Sequence, residues 1–142
     1  MTTVAYRDGV MAADKNMGGY KGQVTKVYRV GDSLVGCSGD NFATLLKVVD
    51  WMQEGAEEDS KPELGDSSVH ILLVDSNGEM FLYNNDLYPM PLEQDFFAVG
   101  SGMDYALGAM AMGASAADAV RVASQFDPGT GPKVDCLTLE IE

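Results

Sequence analysis

Three short turn sequences, each flanked by residues typical of β-strands, constrain this 142-residue chain more than any other feature. Glycine paired with Asp or Asn favours the tight loops of β-hairpins, because these loops need residues that tolerate a positive φ. The turns predict three hairpins: residues 2–7 with 10–13 around Asp8-Gly9, 26–30 with 33–38 around Gly31-Asp32, and 69–74 with 79–83 around Asn77-Gly78. A chain built from successive hairpins is expected to form antiparallel sheets.

Apolar residues at helical spacing follow in three places. Asp40 can cap a first helix, whose apolar residues are Phe42, Leu45, Leu46, Val49 and Met52. Glycines 100 and 102 introduce a second helix, with Met103, Ala106, Leu107, Met110 and Ala111. Ser115 with Asp118 can begin a third helix, with Ala119, Val122, Ala123 and Phe126. Further strands are expected at residues 96–99 and 134–141. The run Val69–Val74 is apolar on both faces, which predicts a position between two layers. We therefore expect an α+β fold, a four-layer αββα sandwich of two mainly antiparallel sheets with outer helices, forming one domain of residues 1–142.

Charge and cysteine content narrow the functional class. A net charge of −13 with nine Lys and Arg argues against a nucleic-acid surface, since phosphate binding requires clustered cations. No apolar run approaches the roughly 20 residues that span a bilayer, and no secretory or transit signal opens the sequence. Two cysteines are too few for a disulfide framework, so we expect a reducing, cytoplasmic setting. No Cys and His cluster predicts a metal site, and no cofactor is expected.

The start of the chain offers a catalytic residue. Removal of Met1 would give Thr2 both a hydroxyl and a free α-amine. An unperturbed α-amine has a pKa of roughly 7.7–8.0, so near neutral pH it can accept the hydroxyl proton. Lys26 and Asp14 are candidates for tuning these groups, because both interrupt apolar strand sequences.

Two other residues could suggest a different chemistry. His70, the one histidine of the sequence, lies in the apolar run Val69-His70-Ile71 and is interpreted as a structural strand residue. A Cys37 nucleophile would require His70 as its base, and neither residue stands in a cysteine-hydrolase motif. A packed free thiol is the preferred interpretation of Cys37.

Ordered motifs along nearly the whole chain carry a family resemblance. They are Thr2-Thr3-Val4-Ala5, Ala12-Ala13-Asp14, Lys21-Gly22, Thr25-Lys26-Val27, Gly36-Cys37-Ser38-Gly39-Asp40, Ala98-Val99-Gly100-Ser101-Gly102 with Tyr105-Ala106, and Asp127-Pro128-Gly129-Thr130-Gly131. In spacing and order the sequence resembles the proteasome β-subunit family, and within it the HslV-type peptidases. The resemblance implies an N-terminal nucleophile hydrolase fold and threonine-type cleavage of peptide bonds in unfolded polypeptides.

The resemblance also implies a role for each matching residue. Thr2 would be the nucleophile and its α-amine the base, Lys26 would lower the local pKa values, and Asp14 would orient Lys26. Ser101 would bond near the amine, with Asp127 and Thr130 completing the polar network. The N–H of Gly39, expected at a helix start, would stabilise the oxyanion. The substrate-binding residues would be Gly18, Val24, Leu34 and Ser38.

The resemblance implies a homo-oligomeric ring and an AAA+ ATPase unfoldase as partner. The sequence departs from the family at residues 54–68, which are acidic, contain Pro62 and lack the periodicity of the expected second outer helix. In the family the outer helical layer makes contacts within the ring and with the ATPase. The missing helix therefore affects the expected ring assembly and the expected ATPase docking. Two alternatives stay open: a catalytically silent scaffold with the same fold, and an N-terminal nucleophile amidase acting on a small amide.

Overall fold

The computed structural model describes residues 2–17 and 22–140. Within these residues the chain forms nine strands and three helices in the expected order. The strands are β1 (Val4–Arg7), β2 (Val10–Asp14), β3 (Val27–Val30), β4 (Ser33–Gly39), β5 (Val69–Val74), β6 (Met80–Tyr83), β7 (Met90–Leu92), β8 (Phe96–Val99) and β9 (Val134–Thr138); the helices are α1 (Phe42–Gln53), α2 (Met103–Ala111) and α3 (Ala116–Phe126).

The strands form two antiparallel sheets. The first has the order β8-β1-β2-β9 and the second β3-β4-β5-β6-β7. In the first sheet, β1 lies between its hairpin partner and β8, with Val4 opposite both Ala13 and Val99. The beginning of the chain is therefore held in the interior of a sheet, next to the segment that follows β8.

The two sheets pack face to face, and their alternating side chains define three apolar clusters. Val4, Met11, Leu34 and Leu72 belong to the cluster between the sheets. The helix α1 covers the outer face of the second sheet, and α2 with α3 covers the outer face of the first. That face carries Ala5, Ala12 and Ala98 side by side, and these small residues let the helices approach closely. The four-layer α+β sandwich is confirmed.

The expected loss of one outer helix agrees with the structure, since residues 54–68 contain a 3-10 turn at Glu58–Ser60 and no α-helix. Trp51 closes the end of α1 by donating its ring N–H to the Glu57 carbonyl oxygen at 2.9 Å. No helix in the described part of the chain is long and apolar enough to cross a membrane.

Several local expectations are wrong. Asn41, and not Asp40, caps α1: its side chain accepts a hydrogen bond from the Thr44 N–H, while Asp40 accepts one from the Ser68 N–H. Phe126, at the end of α3, is 61% exposed as a residue, and its ring stacks on Tyr105. Leu46 on α1 also faces outward. The sequence patterns predict no strand at β7. Pro91 lies at its centre, and the strand tolerates proline because it is at the edge of its sheet. The predicted end of the last strand at Ile141 lies outside the described residues.

Candidate active site

A cleft of about 650 Å³ opens at the ends of β4 and β8, beside the start of the chain. Thr2, Lys26, Ser38, Gly39 and Ser101 all line it. These five residues come from four separate parts of the sequence. The fold therefore gathers these five predicted site residues around one opening.

Thr2 is held by its own backbone. Its nitrogen donates a hydrogen bond to the Ser101 hydroxyl at 3.1 Å, and its carbonyl oxygen accepts one from the Gly102 N–H at 3.2 Å. A Cβ on Gly100 would lie 2.1 Å from that carbonyl oxygen, and the φ of Gly100 is +103°. Only glycine allows this approach, so Gly100 is needed to place Thr2.

Asp127 organises the polar groups behind Thr2. Ser101 and Thr130 each donate a hydroxyl hydrogen bond of 2.6 Å to one carboxylate oxygen, and the Gly129 N–H donates to the other at 3.2 Å. Burial alone would raise the pKa of Asp127, but these three hydrogen bonds outweigh it and the pKa lies below its usual range. Because the Ser101 proton is committed to this carboxylate, a lone pair of its oxygen is free to accept from the Thr2 nitrogen.

Lys26 and Asp14 form a buried ion pair. The Lys26 Nζ lies 3.1 Å from both carboxylate oxygens, and the two side chains are 4% and 0% exposed. Burial lowers the pKa of Lys26, although Asp14 offsets part of that effect. The pair therefore places a cation at the cleft wall whose proton is held less tightly than in water.

Thr3, which the sequence did not single out, joins these two groups. Its N–H donates to Asp14 Oδ1 at 3.0 Å, and its hydroxyl lies 2.7 Å from the hydroxyl of Thr130. Since Thr130 gives its proton to Asp127, Thr3 must donate in this contact. A Cβ on Gly102 would lie 1.9 Å from the Thr3 hydroxyl oxygen. Thr3 thus anchors the backbone next to Thr2, directly to Asp14 and through Thr130 to Asp127.

Asn16 was also missed. Its N–H donates to Asp14 Oδ2 at 3.1 Å, and its side-chain amide donates to the Gly129 carbonyl oxygen at 3.1 Å. It therefore ties the loop after β2 to the turn that contains Asp127. Only the register of the fold reveals contacts of this kind, and no sequence signal would have found Asn16.

Gly39 ends β4 and does not start a helix; this expectation is corrected, since α1 begins at Phe42. Cys37 donates its N–H to the Lys26 carbonyl oxygen, and Asp40 donates to the Ser68 carbonyl oxygen on the other side of the strand. Successive N–H groups alternate along a strand, so the N–H of Gly39 points in the same direction as that of Cys37, away from β5. A Cβ on Gly39 would meet the Ser68 carbonyl oxygen at 2.4 Å. The strand end thus offers a backbone donor in a place that admits no side chain.

The predicted substrate-binding residues separate into three cases. Val24 and Ser38 line the cleft as expected. Leu34 does not: it lies on the same face of β4 as Ser38 but four residues further from the strand end, and it is 0% exposed in the cluster between the sheets. Gly18 lies outside the described residues.

Cys37 and His70, the two residues that a cysteine-type hydrolase would need, lie in different surroundings. Cys37 is buried, and burial raises the pKa of its thiol to about 12, so the thiol stays protonated at neutral pH. His70, in contrast, is exposed on β5 and lines the cleft, with its Nδ1 3.0 Å from the Asn84 side-chain oxygen. A thiolate nucleophile at Cys37 is disfavoured by this burial.

Comparisons with known proteins find the fold. No protein-family model and no curated protein matches the chain. Among solved structures, the chain is similar to Thiobacillus denitrificans BPH in complex with epoxomicin (23% identity, TM-score 0.62, 99% of each chain covered) and to the same BPH without it (21%, 0.61, 99% of each). It is also similar to the eukaryotic HslV from Trypanosoma brucei (17%, 0.67, 99% of this chain and 100% of that one). The chain therefore has the α+β fold of HslV.

Proposed function

We propose that this protein is a threonine-type endopeptidase, an N-terminal nucleophile hydrolase in which Thr2, exposed by removal of Met1, attacks peptide bonds of unfolded polypeptides. The observation that carries the proposal is the 3.1 Å hydrogen bond from the Thr2 nitrogen to Ser101, in the cleft that the buried Lys26 also lines. Once Met1 is removed, this nitrogen is an amine fixed beside its own hydroxyl.

The amine acts as the base. It takes the hydroxyl proton of Thr2 while the oxygen bonds to the scissile carbonyl carbon, and the resulting ammonium then gives that proton to the departing nitrogen as the C–N bond breaks. Water then attacks the remaining ester: the amine accepts the water proton and returns it to the Thr2 oxygen as the ester C–O bond breaks, which releases the acid and restores the hydroxyl. Lys26, held by Asp14, keeps the amine neutral near physiological pH, since a nearby cation disfavours a second positive charge. The Ser101–Asp127–Thr130 network holds the amine in position.

Charge develops on the carbonyl oxygen during attack, and the N–H of Gly39 is the donor we assign to it. A backbone donor at a fixed strand end needs no reorganisation during the reaction, which makes such donors effective in catalysis. Val24 and Ser38 contact the substrate chain, which binds in an extended conformation.

We infer a homo-oligomeric ring from the same chemistry. A peptidase that cleaves unfolded chains must be kept away from nascent proteins, and closed symmetric assembly is the common form of homo-oligomers. An AAA+ ATPase would feed such a ring. Because residues 54–68 form no α-helix, we expect its contacts to differ from those of a ring that carries a second outer helix there. Native mass spectrometry tests the ring directly, and a monomer as the active species would exclude it.

The decisive experiment compares Thr2→Ala with Thr138→Ala, a threonine exposed at the end of β9 and outside the cleft, using fluorogenic peptides and an unfolded protein as substrates. We expect Thr2→Ala to abolish turnover and Thr138→Ala to leave it unchanged. Turnover that survives Thr2→Ala excludes Thr2 as the nucleophile, and no turnover by the Met1-free wild type favours a silent scaffold. Cleavage of small amides but not of polypeptides identifies an amidase. Epoxomicin, found in the BPH complex, should raise the Tm of the Met1-free protein.

A further inference from the structure

The cleft does not stop at Thr2 but continues on both faces of the second sheet. Its apolar lining residues belong to two different clusters. Cys37, Phe42 and Leu45 pack between α1 and the sheet. Leu82, Phe97 and Val99 belong to the space between the two sheets. We call the first group the outer lobe and the second the inner lobe.

The two lobes meet at Thr2 and Gly39. Thr2 and Gly39 line the same cleft as the residues of both lobes, so the two lobes are parts of one continuous opening. The inner lobe begins where β8 leads through Gly100 into Ser101, the residue that accepts the Thr2 nitrogen hydrogen bond. A Cβ on Gly100 would be 3.3 Å from the Ser38 hydroxyl, so β4 and the end of β8 are in close contact there.

The position of the Thr2 nitrogen decides which half of a substrate enters the inner lobe. On the mechanism proposed above, that nitrogen must hand its proton to the departing amine. The departing half therefore lies on the Ser101 side, and Ser101 closely follows the strand that carries Phe97 and Val99. The acyl half, on the opposite side of the scissile carbon, faces Gly39 and the outer lobe.

We propose that the inner lobe is a binding pocket for the side chain that follows the scissile bond, and that it selects apolar and aromatic residues. Leu82, Phe97 and Val99 supply an apolar floor, and His70 stands at its mouth. His70 is the strand partner of Ser38 and contacts Asn84, which keeps the imidazole at the edge of the lobe. The whole cleft of about 650 Å³ falls within the size range of pockets that bury drug-sized ligands, so it has room for a side chain on each side of Thr2.

The inference rests on the proposed function only for which part of a peptide the pocket binds. Binding can therefore be measured without turnover. The probes are the dipeptide amides Phe-Ala-amide and Gly-Ala-amide, which mimic the departing half, measured by calorimetry on the purified Met1-free protein. We expect the Phe compound to bind at least about tenfold more tightly, the discrimination typical of an apolar pocket. Equal affinities of the two compounds would refute an apolar, side-chain-selective pocket in the inner lobe.

Two variants locate the binding. Leu82→Phe fills the lobe from its floor, and His70→Trp narrows it from an exposed position that does not endanger folding. Both should reduce the Phe-to-Gly ratio toward one, whereas Leu46→Phe, at an exposed site of α1 outside the cleft, should leave it unchanged. A ratio that survives both variants, or is lost in Leu45→Phe alone, would place the ligand elsewhere and refute the assignment.

Measuring peptide cleavage alongside binding distinguishes a failure of the pocket assignment from a failure of the proposed peptidase function. Internally quenched peptides with Phe or Gly after the scissile bond should show the same ratio in kcat/KM. If the ratio appears in binding while no peptide is cleaved, the pocket is supported and the peptidase proposal fails. If peptides are cleaved with no preference at this position, the pocket is refuted and the peptidase proposal stands.

Discussion

Replacing Asp14 by Asn should cost far more stability than any surface ion pair of this protein. One carboxylate oxygen accepts from Lys26 and the Thr3 N–H; the other accepts from Lys26 and the N–H groups of Asn16 and Gly131. Asn matches Asp in shape, but its NH₂ group would face at least two donors in either orientation. The change therefore removes a buried charge partner and leaves donors facing each other.

The expected magnitude follows from burial. Breaking a buried pair by removing one partner costs about 3–5 kcal/mol, because the remaining charge loses both solvent and partner. That is a large share of the roughly 5–15 kcal/mol that stabilises a typical domain. With a urea m-value of about 2 kcal/mol/M, the midpoint should fall by about 2 M at unchanged slope.

Asp135→Asn is the matched control. Asp135 accepts from Lys15 at 2.6 Å, but its side chain is 37% exposed, so its removal should cost about 0–1 kcal/mol. Urea unfolding at one fixed protein concentration compares the two variants. If both lose less than about 1 kcal/mol, the Asp14 site is not the buried charged centre described above.

Three further predictions concern the site itself. Gly39→Ala should lower kcat by about 10²–10³, because the new Cβ meets the Ser68 carbonyl oxygen and displaces the oxyanion donor. Gly108→Ala, with open space around it, is the control, and equal kcat values for the two variants would exclude Gly39 as the oxyanion donor. Lys26→Met should move the acid limb of the kcat/KM profile to higher pH, since the Thr2 amine then loses its cationic neighbour and stays protonated to higher pH; an unmoved limb would argue against that coupling. Iodoacetamide at neutral pH should alkylate the exposed Cys136 and spare Cys37, whose pKa is raised to about 12, and mass mapping of a modified Cys37 would contradict its burial.

The layers could be predicted from local sequence patterns, whereas most of the site residues were assigned through the family resemblance. Hairpin turns and strand alternation specify antiparallel sheets, and the motifs around Thr2, Lys26 and Ser101 are short and ordered. The structure brings these three residues to one cleft.

The errors arise where a residue's surroundings depend on long-range register. Leu34 shares a face of β4 with Ser38, but the pairing of β4 with β5 places Leu34 opposite Val74, at the end of the ladder away from the cleft. Thr3 looks like an ordinary strand residue until Thr130, 127 positions later, is placed beside it. Phe126 keeps the helical spacing of α3, yet it lies at the helix end and rests on Tyr105 instead of the core. The spacing of apolar residues identifies one face of a helix or strand, but it does not identify the residues that pack against that face.

The central claim is that the Thr2 nitrogen, freed of Met1, is the base for the Thr2 hydroxyl. Its most direct test is peptide turnover by two matched preparations of the same chain, one beginning at Thr2 and one retaining Met1, each verified by intact mass. We expect turnover from the Met1-free form and none from the form whose nitrogen remains an amide. Equal turnover by both would contradict the claim, since an amide nitrogen cannot accept that proton.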